Sequence, residues 1–347
     1  MNVPRAKPIL IIQTAFIGDT ILASNFAAAV QRAYPDADLH FLLRKGNESV
    51  IQGLPFVKKV WVWDKGEGKV RSLVRLIREL RHFDFEAVFN LHRHFNSGLV
   101  TALVRARHKV GFRENPLSIF YTRKVKHRIP HWEESEAWHE TKRNLQLLKV
   151  LREEVSIPSS LHELRPILPI QSKHREKVLR YQSSPYVVLA PASVWFTKQW
   201  PEASYRELVA RLSHEIRVYL IGGPGDRALC DRVKGEGPAI NLCGELNLLE
   251  SAALMAGAQR VFVNDSGPLH LASAVNAPTT AFFCATVPAF GYGPLADRSL
   301  VLESPTELAC RPCGLHGHHR CPQGHFQCAE NIKVSSAFAT LCGPTQA

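Results

Sequence analysis

Apolar residues recur along this chain in two alternating rhythms. Short, nearly solid apolar runs predict strands over Ile9–Gln13, Asp38–Leu43, Val60–Trp63, Ala87–Leu91 and Lys109–Phe112. Between them the apolar positions fall three and four apart, as on one face of a helix. Leu22, Phe26, Ala29 and Ala33 share such a face over Thr20–Ala33. Over Val70–Arg81, Leu73, Ile77 and Leu80 face inward and the arginines outward. The second half repeats the plan, with strands predicted at Tyr186–Ala190, Arg217–Ile221, Arg260–Asn264 and Thr279–Phe283. Strands alternating with helices imply parallel sheets joined by right-handed crossovers. The predicted class is therefore α/β, with two doubly wound domains.

The 347 residues exceed one ordinary core and suit two domains of similar size. Pro158, Pro166, Pro169 and Pro185 interrupt regular structure between Ile157 and Ser184. The boundary is drawn there, giving a first domain over residues 1–165 and a second over 166–347. Hydrophobic residues make up 45% and charged residues 21%, the balance of a soluble globular protein. No apolar run reaches the roughly 18 residues of a membrane-spanning helix. Gln13, Thr14, Gly18 and Asp19 break the first apolar stretch, which reads as a buried strand rather than an export signal.

Charge changes the picture next. The formal net charge is +12, from 43 Lys and Arg against 31 Asp and Glu. That excess favours polyanions: nucleic acid, an anionic membrane face or phosphorylated substrates. The aromatic-basic motifs of nucleic-acid modules are missing, so a nucleic-acid partner is not expected.

In open parallel sheets, ligands bind beyond the carboxyl ends of the strands. Three loops there carry unusual chemistry. In Thr14–Thr20, Gly18 permits a tight turn and Asp19 stands where a helix begins. Asp19 is either a helix cap or a carboxylate able to act as general base. In Asn264–His270, Pro268 suits the first helical position. The Ser266 and Gly267 amides with the helix dipole then outline a phosphate site, unless this is an ordinary capped helix start. In Pro191–Pro201, Lys198 precedes a helix opened by Pro201 and Glu202. It reads as a point charge for a departing diphosphate or as a solvated surface lysine.

Neither nucleotide fingerprint occurs. Gly222-Gly223-Pro224-Gly225-Asp226 matches neither G-x-G-x-x-G nor Walker A, and Arg143 occupies the place of the second histidine in H-E-x-x-H. An ordinary dehydrogenase, a P-loop kinase and a zincin are thereby excluded. Eight cysteines are present, Cys230, Cys243 and Cys284 in or beside apolar stretches. Cys310, Cys313, Cys321 and Cys328, with histidines interspersed, read either as a structural zinc site or as reduced thiols in an ordered loop.

Together these loops resemble the ADP-heptose:lipopolysaccharide heptosyltransferases, glycosyltransferase family nine. The resemblance is carried by Phe16-Ile17-Gly18-Asp19-Thr20, Lys198-Gln199-Trp200-Pro201, Gly222-Gly223-Pro224, and Asn264-Asp265-Ser266-Gly267 continuing to His270-Leu271-Ala272. It implies a GT-B fold, two Rossmann-like domains facing a cleft, and an inverting transfer that needs no metal cofactor. It implies Asp19 as catalytic base. It assigns Ser193, Lys198, Asp226, Asp265, Ser266, Gly267 and His270 to the ADP-heptose donor. The acceptor, the lipopolysaccharide inner core, then belongs to the first domain, with Arg44 and Arg93 as its expected contacts. Pro116–Tyr121 and the basic run after it are expected at the lipid headgroups, or packed as an internal loop. The implied place of work is peripheral, on the cytoplasmic face of the inner membrane. The alternatives are a family member with another acceptor, a GT-B-like nucleotide-sugar epimerase, and a basic nucleic-acid-binding protein.

Overall fold

The structure, a computed structural model, describes residues 7–66, 68–129 and 138–342. They form two compact units, one from the described residues up to 169 and the other from those after it. Each unit is built on one six-stranded sheet.

In the first unit the strands are β1 (Ile9–Gln13), β2 (Leu39–Arg44), β3 (Val57–Trp63), β4 (Asp84–Asn90), β5 (Arg105–Phe112) and β6 (Arg123–Val125), ordered β3-β2-β1-β4-β5-β6. In the second they are β7 (Tyr186–Ala190), β8 (Arg217–Leu220), β9 (Ile240–Asn241), β10 (Arg260–Asn264), β11 (Thr279–Phe283) and β12 (Ser299–Glu303), ordered β12-β11-β10-β7-β8-β9. Every pairing in both sheets is parallel. Read from the first strand of each unit, both sheets have the doubly wound 3-2-1-4-5-6 order.

The predicted central strands are present, and the misses lie at sheet edges. β6, β9 and β12 lie outside the predicted strands: β6 reads Arg-Lys-Val, β9 has two residues, and β12 is only half buried. β3 begins at Val57 rather than Val60, because an edge strand keeps Lys58 and Lys59 exposed and so breaks the apolar run. The helix predicted from Thr20 begins at Ile17. It is buried on all sides from Thr20 to Val30 rather than along one stripe. The reason is a second layer: Asn25 donates to the Glu163 and Arg165 carbonyls at 2.8 and 3.0 Å, and Ser24 accepts from the Ile167 amide at 2.8 Å. Over Lys69–Leu80 the expected stripe holds, with Leu73, Leu76, Ile77 and Leu80 buried and the arginines exposed.

In each sheet the order reverses between the first and fourth strands, β1/β4 and β7/β10. Strand-end loops diverge there and leave a crevice, the usual ligand place of this architecture.

Candidate functional site

In the second unit, Asn264 closes β10 and is fully buried. Its Oδ1 accepts from the Trp200 amide at 2.9 Å and the Tyr205 hydroxyl at 3.1 Å, and its Nδ2 donates to the Pro191 carbonyl at 2.8 Å. A buried amide with its hydrogen bonds made is a strong anchor. The loop after β7 is thus pinned across the end of β10. Trp200 stacks on Phe282 at 4.3 Å beneath it, which fixes the loop from below.

This pinning brings Lys198 Nζ to 2.7 Å from Asp265 Oδ2, both side chains largely withdrawn from solvent (15% and 6% exposed). Thr286 Oγ1 donates to the same carboxylate oxygen at 2.7 Å. Beside them the helix Gly267–Ala274 begins, with Ser266 at its cap making no side-chain capping bond. Ser266 Oγ instead leans toward the Asn264 carbonyl at 3.4 Å. Gly267 is the first helical residue and Pro268 the second, one place later than expected. His270 follows, buried, with Nδ1 lacking a hydrogen-bond partner among the described residues. Burial lowers its pKa to about 4; Asp265 acts in the opposite sense and Lys198 in the same sense. The imidazole is therefore neutral at pH 7. An ammonium, a helix amino-terminus and a neutral imidazole can together receive a diphosphate.

Two predicted donor residues stand differently. Asp226 Oδ2 accepts from the Gly223 amide at 2.8 Å, which commits that oxygen to closing the turn. A Cβ on Gly222 would lie 2.8 Å from Asp226 Cβ and 3.1 Å from Cys243 Sγ, so this turn requires glycine. The Ser193 carbonyl accepts from Gln199 Nε2 at 2.6 Å, a contact within the pinned loop.

The first unit has the corresponding junction. Asn90, the last residue of β4, is fully buried; its Oδ1 accepts from the His92 amide at 3.0 Å and its Nδ2 donates to the Tyr121 hydroxyl at 2.8 Å. His92 Nδ1 then lies 3.1 Å from Thr14 Oγ1, joining the loops after β1 and β4. Burial, with the charges of His94, Lys65 and Arg93 acting in the same sense, lowers the His92 pKa to about 3. Lys65 Nζ donates to the Thr14 carbonyl at 3.2 Å and sits 4.7 Å from the Trp63 ring. The Arg44 guanidinium lies 5.3 Å from the half-exposed Phe16 ring, and Arg93 is half-buried. Asp19 is the third residue of its helix and half-buried, and Phe16 holds the cap position, so Asp19 is not the N-cap. Its turn is held by Asn47, whose Nδ2 donates to the Ala15 carbonyl (3.1 Å) and Thr20 Oγ1 (2.9 Å).

Among the described residues no three His, Cys, Asp or Glu side chains are gathered to hold a metal ion. Cys328 is buried in the core of its unit and Cys313 packs against that core, while Cys310 Sγ sits 3.7 Å from the exposed His325 Nε2.

Residues 73–317 match the sequence profile of glycosyltransferase family 9 (heptosyltransferase). The chain belongs to this family. This glycosyltransferase is 24% identical over 282 residues to lipopolysaccharide heptosyltransferase 3 of Escherichia coli, spanning 78% of this chain and 82% of that protein. It is 25% identical over 331 residues to lipopolysaccharide heptosyltransferase 1 of Pseudomonas aeruginosa, spanning 88% and 85%. Its fold matches that of E. coli ADP-heptose lps heptosyltransferase II at a TM-score of 0.76 and 21% identity, over 96% of this chain and 97% of that one. The GT-B pattern of two Rossmann-like parallel-sheet domains is thereby established. Lys198, Asp265, Ser266, Gly267 and His270 lie inside the matched segment; Asp19 and Arg44 precede it.

Thr286, Asn264, Lys65 and Asn47 had no role assigned from sequence. Asn264 left a legible signal: an apolar strand ends in asparagine at the equivalent place in both halves, Asn90 and Asn264. Thr286 and Lys65 left none, because only tertiary packing brings them to their partners.

Proposed function

We propose that this glycosyltransferase moves heptose from an ADP-activated donor to the inner core of lipopolysaccharide, with inversion at the anomeric carbon. The observation that carries this reading is the Lys198–Asp265–Thr286 cluster at the β7/β10 junction, beside the helix that His270 enters. The second unit binds the donor and the first binds the acceptor. Lys198 and the first turn of helix Gly267–Ala274 receive the diphosphate, Asp265 and His270 address the sugar, and Ser193 and Asp226 complete the nucleotide contacts. Arg44 and Arg93 take the anionic groups of the acceptor.

In the reactive complex Asp19 removes the proton from an acceptor hydroxyl. The oxygen attacks the anomeric carbon opposite the diphosphate. The bond from that carbon to the phosphate oxygen breaks, and its electron pair leaves on ADP. The ammonium of Lys198 and the helix dipole stabilise that charge, so transfer requires no metal.

The work site is the cytoplasmic face of the inner membrane, peripherally. Among the described residues no helix is long and apolar enough to cross a membrane. Ile119 and Phe120 stand 75% and 58% exposed close to the exposed Arg123 and Lys124, a pattern suited to an anionic lipid surface. Charge reversal at Arg123 and Lys124 should reduce co-sedimentation with anionic vesicles, and unchanged binding would remove this part. Metal analysis of the purified protein tests whether the cysteine segment takes up zinc.

The deciding experiment supplies ADP-heptose with defined truncated inner-core acceptors and follows ADP release. Release should depend on the acceptor. Asp19→Ala should lower transfer by about a thousandfold or more while donor binding stays within about twofold. Transfer that survives this substitution would remove Asp19 as base.

A further inference from the structure

The Cys- and His-rich segment has no part in the scheme above, yet it is bound directly to the loop that carries Lys198. Thr197, the residue before that lysine, is 1% exposed. Its amide donates to the His318 carbonyl at 3.0 Å, and its Oγ1 accepts from the His318 amide at 2.7 Å. Its own carbonyl accepts from the Ala285 amide at 3.2 Å, and the Ala285 carbonyl accepts from Cys313 at 2.7 Å. Gly317 closes the contact. Its φ is +75°, and a Cβ there would lie 2.9 Å from Thr197 Oγ1 and 3.2 Å from Lys198 Cγ.

These bonds form a ring. From Thr197 the chain passes to Lys198, across 2.7 Å to Asp265, across 2.7 Å to Thr286, back one residue to Ala285, and across 3.2 Å to Thr197. Arg311, in the same segment, braces the ring from outside by donating to the Thr286 carbonyl at 2.8 Å and the Cys284 carbonyl at 2.7 Å. A buried ring of short polar contacts leaves the ammonium little freedom. Misplacing a group that binds a charged leaving site by even about 1 Å is costly.

We infer that Thr197 is a positioning residue for Lys198, and that the segment from Cys310 to Cys328 acts through it to set the donor-diphosphate site. The inference rests on the reading of Lys198 as the diphosphate contact. It gives the segment a task in this enzyme independent of any metal: it is the outer wall against which the lysine's loop is registered.

The test measures ADP affinity by titration calorimetry, together with donor and acceptor kinetics. Thr197→Val keeps the shape and removes both hydroxyl contacts to His318, acceptance from its amide at 2.7 Å and donation to its carbonyl at 3.3 Å. It should raise the Kd for ADP and the donor KM about tenfold, with the acceptor KM unchanged. Thr197→Ser should restore both. Loss of folded protein alone would instead lower kcat and leave both KM values and the ADP Kd as they are, and that outcome overturns the inference. Gly317→Ala approaches from the segment side and should weaken ADP binding in the same way. If Thr197→Val and Gly317→Ala bind ADP as the wild type does while Lys198→Ala does not, the inference fails and the diphosphate reading stands. If Lys198→Ala also binds ADP normally, the diphosphate reading itself fails.

Discussion

The two strand-reversal points of this enzyme share a topology and an anchor but differ in charge. At β7/β10 the loops are joined by an ion pair, Lys198 with Asp265, almost out of solvent. At β1/β4 they are joined by a neutral contact, Thr14 with His92, while Lys65, Arg44 and Arg93 stand around it partly exposed. An ion pair can be buried because each charge compensates the other, and it leaves little field outside. A cluster of half-exposed cations projects its field and attracts polyanions from a distance. The same scaffold thus makes one site that holds a charged group at short range and one that gathers charge.

The largest effect expected from breaking this contrast is at Lys198. Lys198→Ala leaves Asp265 buried without its ammonium, which should cost about 3 kcal/mol of stability in urea denaturation. It should also cost about a hundredfold or more in kcat/KM for the donor. Lys198→Met combined with Asp265→Asn should recover much of the stability and none of the turnover. Recovery of turnover in the double variant would mean that the pair is structural only.

The shared anchor comes next. Asn264→Ala and Asn90→Ala each remove a buried amide whose partners then lose their hydrogen bonds, at about 2 kcal/mol or more. The Asn264 change should also impair donor binding, because Trp200 and Pro191 hold the lysine's loop. The Asn90 change should leave ADP binding as it was. Equal loss of ADP affinity in both would erase the distinction between the junctions.

Much of this was legible in the chain. The central strands carry solid apolar runs because both sheet faces are covered, and every residue of β1, β7, β10 and β11 is buried. The edge strands β6, β9 and β12 were not legible and β3 only over its second part, because one unpaired side lets polar residues in. Lys198 and His270 could be singled out from loop position, since strand-end loops at a reversal point bear ligands, and Asp265 only through the resemblance. Of the two readings open for Asp19, the helix cap falls away, because the helix begins at Ile17 with Phe16 at the cap position. Thr286 and the bracing of Thr197 by His318 were out of reach, since they depend on partners 21 and 121 residues away in sequence.

Acidity separates the two junctions on a smaller scale. His270 and His92 both stay neutral in the fold, with pKa values of about 4 and about 3 against 6.5 when free. Between those values the unfolded chain binds a proton that the folded chain refuses, so stability falls as pH drops from about 6.5 toward 4. The contribution is fully present above pH 6.5. His270 should account for about 1–2 kcal/mol of the loss between pH 7 and pH 5. His270→Gln should flatten the curve of unfolding free energy against pH over that range. An unchanged slope would show that the imidazole is already reached by water.

The smallest effect expected is at the cationic rim, and salt is the means of reading it. Partly exposed charges interact weakly and are screened at ordinary ionic strength. Arg93→Ala or Lys65→Ala should lower kcat/KM for an anionic acceptor only about threefold at low salt. The decisive quantity is the slope: the wild type should lose acceptor kcat/KM as salt rises, and each variant should lose less. Donor KM should hardly depend on these substitutions, because the Lys198–Asp265 pair is buried and screened little. A donor KM that tracks salt as strongly as the acceptor KM would mean that the buried pair opens to solvent before the nucleotide arrives. The contrast between a gathering site and a holding site would then be one of timing rather than of structure.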